Sequence, residues 1–383
     1  MKLRLVILTE LIAPYRIPVF NALSKMAEID LHVIFLAEND PRLRQWLVYK
    51  NEIEFSYQTL PSARWRVAGQ NILLNRGLNS ALADSSIDAL ICGGYNYLAS
   101  WQARSWAKAN HVPFLLWVES TREDQRGNRA VVEFLKSKFI GDCDAFVVPG
   151  LSSSRYLQHY GVPSDKIYTA PNAVDNDRFG EIATRTRFNT HSFRAKLGLP
   201  SRYFLFSGRL VPEKGVFDLV EAYCAVSPSI REGIGLVFAG DGPCFAELQK
   251  QTFGTRNVHF LGFRQRDDLA SVMASATALV LPTHSDTWGL VVNEAMACGL
   301  PVIVSHVAGC AADLVRDGWN GFIVKPRNPQ SLAAALDRVA RDELECSQMG
   351  RNSLTRIRDF SPATCAGGLA TAARAFKKAA AGA

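Results

Sequence analysis

Asp286 and Glu294 stand eight positions apart, the first in a polar loop and the second about one turn into an apolar, helix-forming run. An ionised carboxylate only accepts hydrogen bonds, so two of them around one helix start suit a ligand rich in hydroxyl groups. Gly289 and Leu290 lie between them, where the free N–H groups of a helix N-terminus attract an anion. A second polar loop, 207–215, carries Arg209 and Lys214, whose guanidinium fork and ammonium suit a diphosphate. Each residue alone has a plainer reading. Asp286 suits a helix cap, Glu294 a solvated helix face, and Arg209 and Lys214 a solvated basic loop. Taken together, the acidic and basic loops favour a site for hydroxyls and phosphates.

The elements around them must bring both loops to one place. Residues 278–281 form an apolar run of buried-strand length stopped by Pro282, and 302–304 form another after Gly299 and Pro301. Residues 203–206 read as the strand feeding the Arg209 loop, at the same sheet edge as Gly289. Further strands fall at 236–239, 258–261 and 322–324, with helices over 216–226, 267–275, 290–298 and 331–341. The first half repeats the rhythm. Strands are expected at 3–8, 31–36, 89–92, 112–118 and 145–148, and helices ending near Lys25 and over 73–83, 98–109, 131–139 and 152–160. Residues 42–66, rich in Arg and Trp, read as loop with an edge strand at 53–57.

Alternating buried strands and amphipathic helices make an α/β chain with two doubly wound, Rossmann-like parallel sheets. The domains expected are 1–170, a polar linker over 171–200, 201–360, and an Ala-rich helix over 361–383 that packs back on the first domain. Ligands of such sheets bind beyond the carboxyl ends of the strands. In the first domain those ends lead into 9–16, 93–97 and 119–126, which makes Tyr15, Arg16, Tyr95, Asn96, Glu119 and Arg122 candidates for binding an acceptor. The plainer reading of each is a surface loop residue.

Composition narrows the class. The chain has 383 residues, 48% hydrophobic and 21% charged, with a net charge of +7 and no long basic block. That suits anionic ligands or an anionic membrane surface and gives nucleic acid little to hold. No apolar stretch reaches membrane-spanning length, and the basic start 1–10 reads as a first strand because Glu10 ends its short apolar run. Eight scattered cysteines without a C-x-x-C pair read as free, mostly buried thiols of a reducing compartment.

These motifs resemble the retaining glycosyltransferases of the GT-B fold, known as glycosyltransferase family 4 or group 1. Ser207-Gly208-Arg209-Leu210 through Glu213-Lys214-Gly215 resembles the family's phosphate loop. Asp286-x7-Glu294, continued by Ala295-Met296-Ala297, Gly299 and Pro301-Val302-Ile303, resembles its Glu-x7-Glu signature. Asp317-Gly318-Trp319-Asn320-Gly321-Phe322 resembles its closing turn, and Pro171-Asn172-Ala173-Val174-Asp175 with Arg178-Phe179 its linker entry. The likeness is strong from about 147 to 340 and architectural before that.

The resemblance implies a GT-B fold with a cleft between facing domains, and a nucleotide-diphosphate sugar donor linked to UDP or GDP. It implies that Arg209 and Lys214 hold the diphosphate, Glu294 the ribose hydroxyls and Asp286 the transferred sugar. Gly208, Gly262, Phe263, Thr287, Trp288, Gly289 and Leu290 complete the donor site, with Gly262 and Phe263 beside the base. Arg209, Lys214 and Asp286 are then catalytic, and Glu119, which does not match the family pattern, joins them as a candidate in its own right: an acid there could stabilise positive charge on the sugar or orient the acceptor hydroxyl. The acceptor is a saccharide or lipid-linked hydroxyl, and no cofactor, metal or nucleic acid is expected. The place of work is the cytoplasm, at most peripheral on the inner face of the membrane.

Three places depart from the pattern. Asp286 replaces the usual Glu, drawing the carboxylate back by about one C–C bond. Glu119 stands where many members carry a His, and Ile12-Ala13-Pro14-Tyr15-Arg16 replaces a Gly-Gly loop. Asp142-Cys143-Asp144 and Asp175-Asn176-Asp177 imitate a metal motif of another fold, but one precedes a strand and the other lies in the linker. A nucleotide-sugar epimerase of the same architecture and a non-catalytic glycan-binding scaffold remain as alternatives.

Overall fold

The computed structural model describes residues 2–40, 45–67, 70–83, 86–124 and 130–376. The chain divides into two compact units, residues 1–173 with 362–383, and residues 174–361.

The first unit is built on a seven-stranded sheet. Its strands in chain order are β1 (Leu3–Thr9), β2 (Ile29–Phe35), β3 (Ser56–Thr59), then a separate two-stranded ribbon of β4 (Ser62–Val67) and β5 (Gln70–Asn75), and β6 (Ala89–Cys92), β7 (Phe114–Trp117), β8 (Ala145–Val148) and β9 (Ile167–Thr169). The order across the sheet is β3-β2-β1-β6-β7-β8-β9, all parallel. The central strands are buried on both faces, which is why they read as unbroken apolar runs. The second unit holds β10 (Tyr203–Ser207), β11 (Gly235–Ala239), β12 (Val258–Gly262), β13 (Ala278–Leu281), β14 (Val302–Ser305) and β15 (Gly321–Val324). They order as β12-β11-β10-β13-β14-β15, again all parallel.

In each sheet the chain winds outward from the middle in one direction and then in the other. The reversal lies between β1 and β6 in the first unit and between β10 and β13 in the second. Loops leaving those adjacent strands diverge to opposite faces and leave a crevice at the carboxyl edge, which is where such sheets bind ligands.

Three expectations are corrected. The helix expected over 73–83 is β5 followed by a helix at Leu78–Ala83. Leu73 is buried while Ile72 and Leu74 are exposed, a period of two, and Gly77 at φ 80° breaks the chain between the two elements. The edge strand expected at 53–57 lies at Ser56–Thr59, where it finds β2 as its partner. The expected linker, 171–200, contains two helices, Asn176–Phe188 and Thr190–Leu197, and the second unit begins at 174. The longer helix buries Phe179, Ile182, Ala183 and Thr186, a stripe at helical spacing within a polar sequence, and Asp175 caps it by accepting from Arg178 N–H at 3.0 Å. A helix at Glu343–Ile357 was not anticipated. The last described helix, Pro362–Ala375, belongs to the first unit and buries Cys365, Leu369 and Ala373 in the core shared with the Ile17–Ser24 helix.

Candidate functional site

The second unit's crevice lies between the loops that follow β10 and β13. The first loop turns through the short 3-10 segment Pro212–Lys214 and enters the helix Val216–Ala225 at Gly215. The second runs from Pro282 to Gly289 and enters the helix Leu290–Ala297. Because β10 and β13 are neighbours, the two loops meet. Lys214 Nζ lies 2.5 Å from Asp286 Oδ2, with both side chains largely shielded from solvent.

The main chain fastens one loop to the other. Thr283 Oγ1 and His284 N–H both donate to Glu213 O, at 2.9 and 2.8 Å. His284 Nε2 lies 2.8 Å from Asp218 Oδ2, in the first turn of the helix behind Lys214. Gly215, at φ 68°, packs so closely that a Cβ there would sit 2.0 Å from Pro282 O. Gly215→Ala therefore combines backbone strain with a collision against main chain, and is expected to cost about 2–4 kcal/mol. Gly198 is the control. It has a similar φ of 63° but nothing within 4 Å of its Cβ position, so Gly198→Ala should cost only about 1 kcal/mol. Thermal melts of both variants check the difference.

The acidic loop is held from its far side as well. Gly309 N–H donates to Asp286 O and Cys310 N–H to Trp288 O, both at 3.0 Å. Gly289 takes φ 92° at the helix start, and no side chain caps the helix there. A Cβ at Gly289 would lie 2.9 Å from Leu281 Cδ2, so the tight turn depends on its absence.

Glu294 lies in the second turn of that helix and is half-buried. Burial pushes its carboxyl up to about 7, and the neighbouring Arg266 works in the opposite direction. Gly262 ends β12, and Phe263 beside it stands 41% exposed. Arg264 Nε is buried there without a partner among the described residues. Arg209 and Gly208 follow β10 directly, Arg209 exposed and Gly208 N–H bonded to Ala239 O at 3.1 Å.

One donor-site expectation is corrected. The Trp288 side chain is a core residue, 3% exposed, with Nε1 donating to Asn293 Oδ1 at 2.8 Å. Thr287 and Leu290 are half-buried beside it. The sequence reading missed three things here: the His284–Asp218 tie, Arg264, and the proximity of Arg266 to Glu294. None belongs to a recognisable spacing, because each depends on where the fold places segments distant in the chain.

In the first unit, Tyr15, Arg16 and Glu119 come together. Arg16 is 9% exposed, forms an ion pair with Glu119, and lies 4.0 Å from the centre of the Trp117 ring. It is therefore not the free cation that an acceptor-binding role supposed. Tyr95 turns inward, its hydroxyl 3.0 Å from that of Tyr156. Asn96 and Arg122 are exposed, Arg122 at the start of a short 3-10 segment. The loop continuing over 125–129 and the Arg-rich residues 41–44 lie outside the described residues.

The four acids of the metal-like motifs have local structural work. Asp142 pairs with Arg104, Asp144 Oδ2 accepts from Phe114 N–H at 2.8 Å, and Asp175 and Asp177 open a helix. Seven of the eight cysteines are buried, Cys224 is exposed, and all are free. Among the described residues, no helix is long and apolar enough to cross a membrane.

Comparison with known proteins bears on the family and the fold. The family model described as "Glycosyl transferases group 1" matches residues 189–356, and that described as "Glycosyltransferase Family 4" matches residues 21–178. The chain belongs to the group 1 and family 4 glycosyltransferases. Among curated relatives, an uncharacterised glycosyltransferase of Methanocaldococcus jannaschii, MJ1607, is 32% identical over 206 residues, 52% of this chain and 51% of that protein. The D-rhamnosyltransferase WbpZ of Pseudomonas aeruginosa is 29% identical over 233 residues, 59% of this chain and 58% of that one. The chain spans about half the length of the curated relatives it matches. Among solved structures, Anabaena Alr3699/HepE in complex with UDP superposes with a TM-score of 0.74, covering 98% of this chain and 100% of that one at 17% identity. The family's two-domain GT-B fold is thus the fold of this chain.

Proposed function

We propose that the chain transfers a sugar from a UDP- or GDP-linked donor to a saccharide or lipid-linked hydroxyl, with retention. The setting we propose is the assembly of a cell-surface polysaccharide, lipopolysaccharide or glycolipid at the inner face of the membrane. One observation carries the reading: Lys214 and Asp286 meet where the second sheet reverses its winding, beside an uncapped helix start and a half-buried Glu294. A diphosphate needs the cations, and a ribose and a hexose need the two carboxylates.

Bond cleavage leaves negative charge on the diphosphate. Lys214, Arg209 and the first N–H groups of the Leu290–Ala297 helix stabilise that charge as it develops, without reorganising. Those groups supply the neutralisation for which other folds use a metal. In a retaining transfer the acceptor hydroxyl arrives on the face the diphosphate leaves, and a phosphate oxygen takes its proton, so no protein nucleophile is required. Two relatives, a D-rhamnosyltransferase and a D-inositol 3-phosphate glycosyltransferase, support this class of reaction.

Calorimetric titration of the full chain with UDP, GDP and ADP tests it. Micromolar binding of one nucleotide is expected and names the donor base. A folded protein that binds none of the three overturns the donor-site reading and brings the glycan-binding scaffold forward.

A further inference from the structure

The Arg16–Glu119 cluster has chemistry that the donor site does not use. We propose that it forms a subsite for a neutral, hydroxyl-bearing acceptor, in which Glu119 takes hydrogen bonds from the acceptor's hydroxyls and Arg16 is a positioning residue. The proposal deepens the transferase reading by naming the acceptor's chemistry, and rests on that reading for what the bound hydroxyl then does.

The first argument concerns charge. Arg16 follows β1 and Glu119 follows β7, at the carboxyl edge of one sheet. Arg16 is enclosed by the Trp117 ring at 4.0 Å and the Tyr15 ring at 5.3 Å, and its charge is spent on Glu119. A guanidinium so placed cannot swing out to clamp a phosphate. The Glu119 side chain stays 35% exposed, so part of its accepting capacity faces outward. The open valence of the pair is an acceptor with no net charge to offer an anion.

The second argument concerns hydrogen bonding. A hydroxyl group can donate to the outward-facing part of the Glu119 carboxylate, whereas a phosphate oxygen only accepts. Around the pair stand Arg16, Tyr15 and the Cys365 thiol. Burial pushes Cys365 up to about 12, so it stays neutral. Burial works to lower Arg16, but Glu119 and Tyr15 outweigh it and its pKa is raised, so the guanidinium stays charged.

Saturation-transfer NMR on the full chain, with methyl α-glucoside and glucose 6-phosphate as probes, tests the subsite, and calorimetry with UDP, GDP and ADP on the same samples reads the donor site. Wild type should bind the neutral glucoside in preference to the phosphate. Glu119→Gln and Arg16→Met should each reduce glucoside transfer by at least about fivefold, and the double variant by no more than either alone. Arg16→Lys should restore part of it, and nucleotide binding should not change in any of them. A merely structural Arg16 would not move the glucoside-to-phosphate ratio. Preference for glucose 6-phosphate, unchanged binding in Glu119→Gln, or no saccharide binding to wild type each overturns the proposal. Absence of binding of UDP, GDP and ADP alike, with glucoside binding intact, overturns the donor reading instead.

Discussion

Lys214→Ala is expected to cut nucleotide-sugar turnover by about 10²–10³-fold and to weaken binding of the cognate nucleotide by at least about tenfold. The reason lies in what Lys214 does before any ligand arrives. Its ammonium is 2.5 Å from Asp286, so the loop is close to neutral and its carboxylate does not repel a diphosphate. Removing the lysine takes away the cation that stabilises the leaving group. It also leaves Asp286 unpaired beside the incoming phosphates, and like charges so near disfavour binding. Lys214→Arg should recover only part of the loss, because the fork is larger and the loop is pinned from both sides through Glu213 O and Gly215. Asp286→Asn separates the two roles. Nucleotide binding should hold or tighten, while turnover falls because the sugar loses its carboxylate acceptor. Calorimetry and initial rates on the three variants decide the matter. Unchanged binding in Lys214→Ala would remove the diphosphate from this loop.

The parts legible in the sequence are those set by local physics. A parallel strand buried on both faces must be apolar throughout, so β6, β7, β8 and β13 show themselves without any knowledge of their neighbours. The two loops we propose for the donor show themselves as turns for a related reason: Gly215 and Gly289 sit where the backbone turns with positive φ, and the charged residues stand at fixed offsets from them. What was hidden depends on partners far along the chain. The Asn176–Phe188 helix looked like a linker because its surface is strongly polar, and its narrow buried stripe becomes visible only against the Arg266–Ser275 helix, which it joins through Arg178 and Asp267. Trp288 shares a motif with Asp286 but turns into the core to reach Asn293 and Phe360. Arg16 read as an exposed cation, since nothing in 9–16 announces Trp117 and Glu119 more than a hundred positions later. Glu294 was placed correctly on its helix, but its burial and its titration come from the surrounding fold.

That burial makes Glu294→Gln the variant with opposite effects on stability and on binding. The carboxyl holds its proton up to about 7, where an unfolded chain releases it near the ordinary value of 4.5. Below about pH 4.5 both states keep the proton, and the fold's stability is unaffected by this group. As pH rises from there to about 7 the unfolded state binds fewer protons, so stability falls, and above about 7 the loss is complete. The full linkage amounts to about 3 kcal/mol, and less once partial exposure of the side chain is allowed for. Gln keeps the shape without the charge. Glu294→Gln should therefore stabilise the protein at pH 8 by about 2 kcal/mol, raising the melting transition by about 5 °C, with the gain fading toward pH 5. The same change removes a charged acceptor from the ribose hydroxyls and should weaken nucleotide binding by about 10–100-fold at pH 8. Wild-type affinity should fall about tenfold between pH 8 and pH 6 as Glu294 takes up its proton. The terminal phosphate of the nucleotide titrates in the same window, and the Gln variant keeps that and every other contribution except Glu294, so the difference between the two proteins reports Glu294. Melts and titrations at pH 5, 6, 7 and 8 on both proteins give the two curves. A Gln variant that is destabilised at pH 8, or that binds nucleotide as wild type does, would show that the carboxylate at 294 is a structural group and that the ribose is held elsewhere.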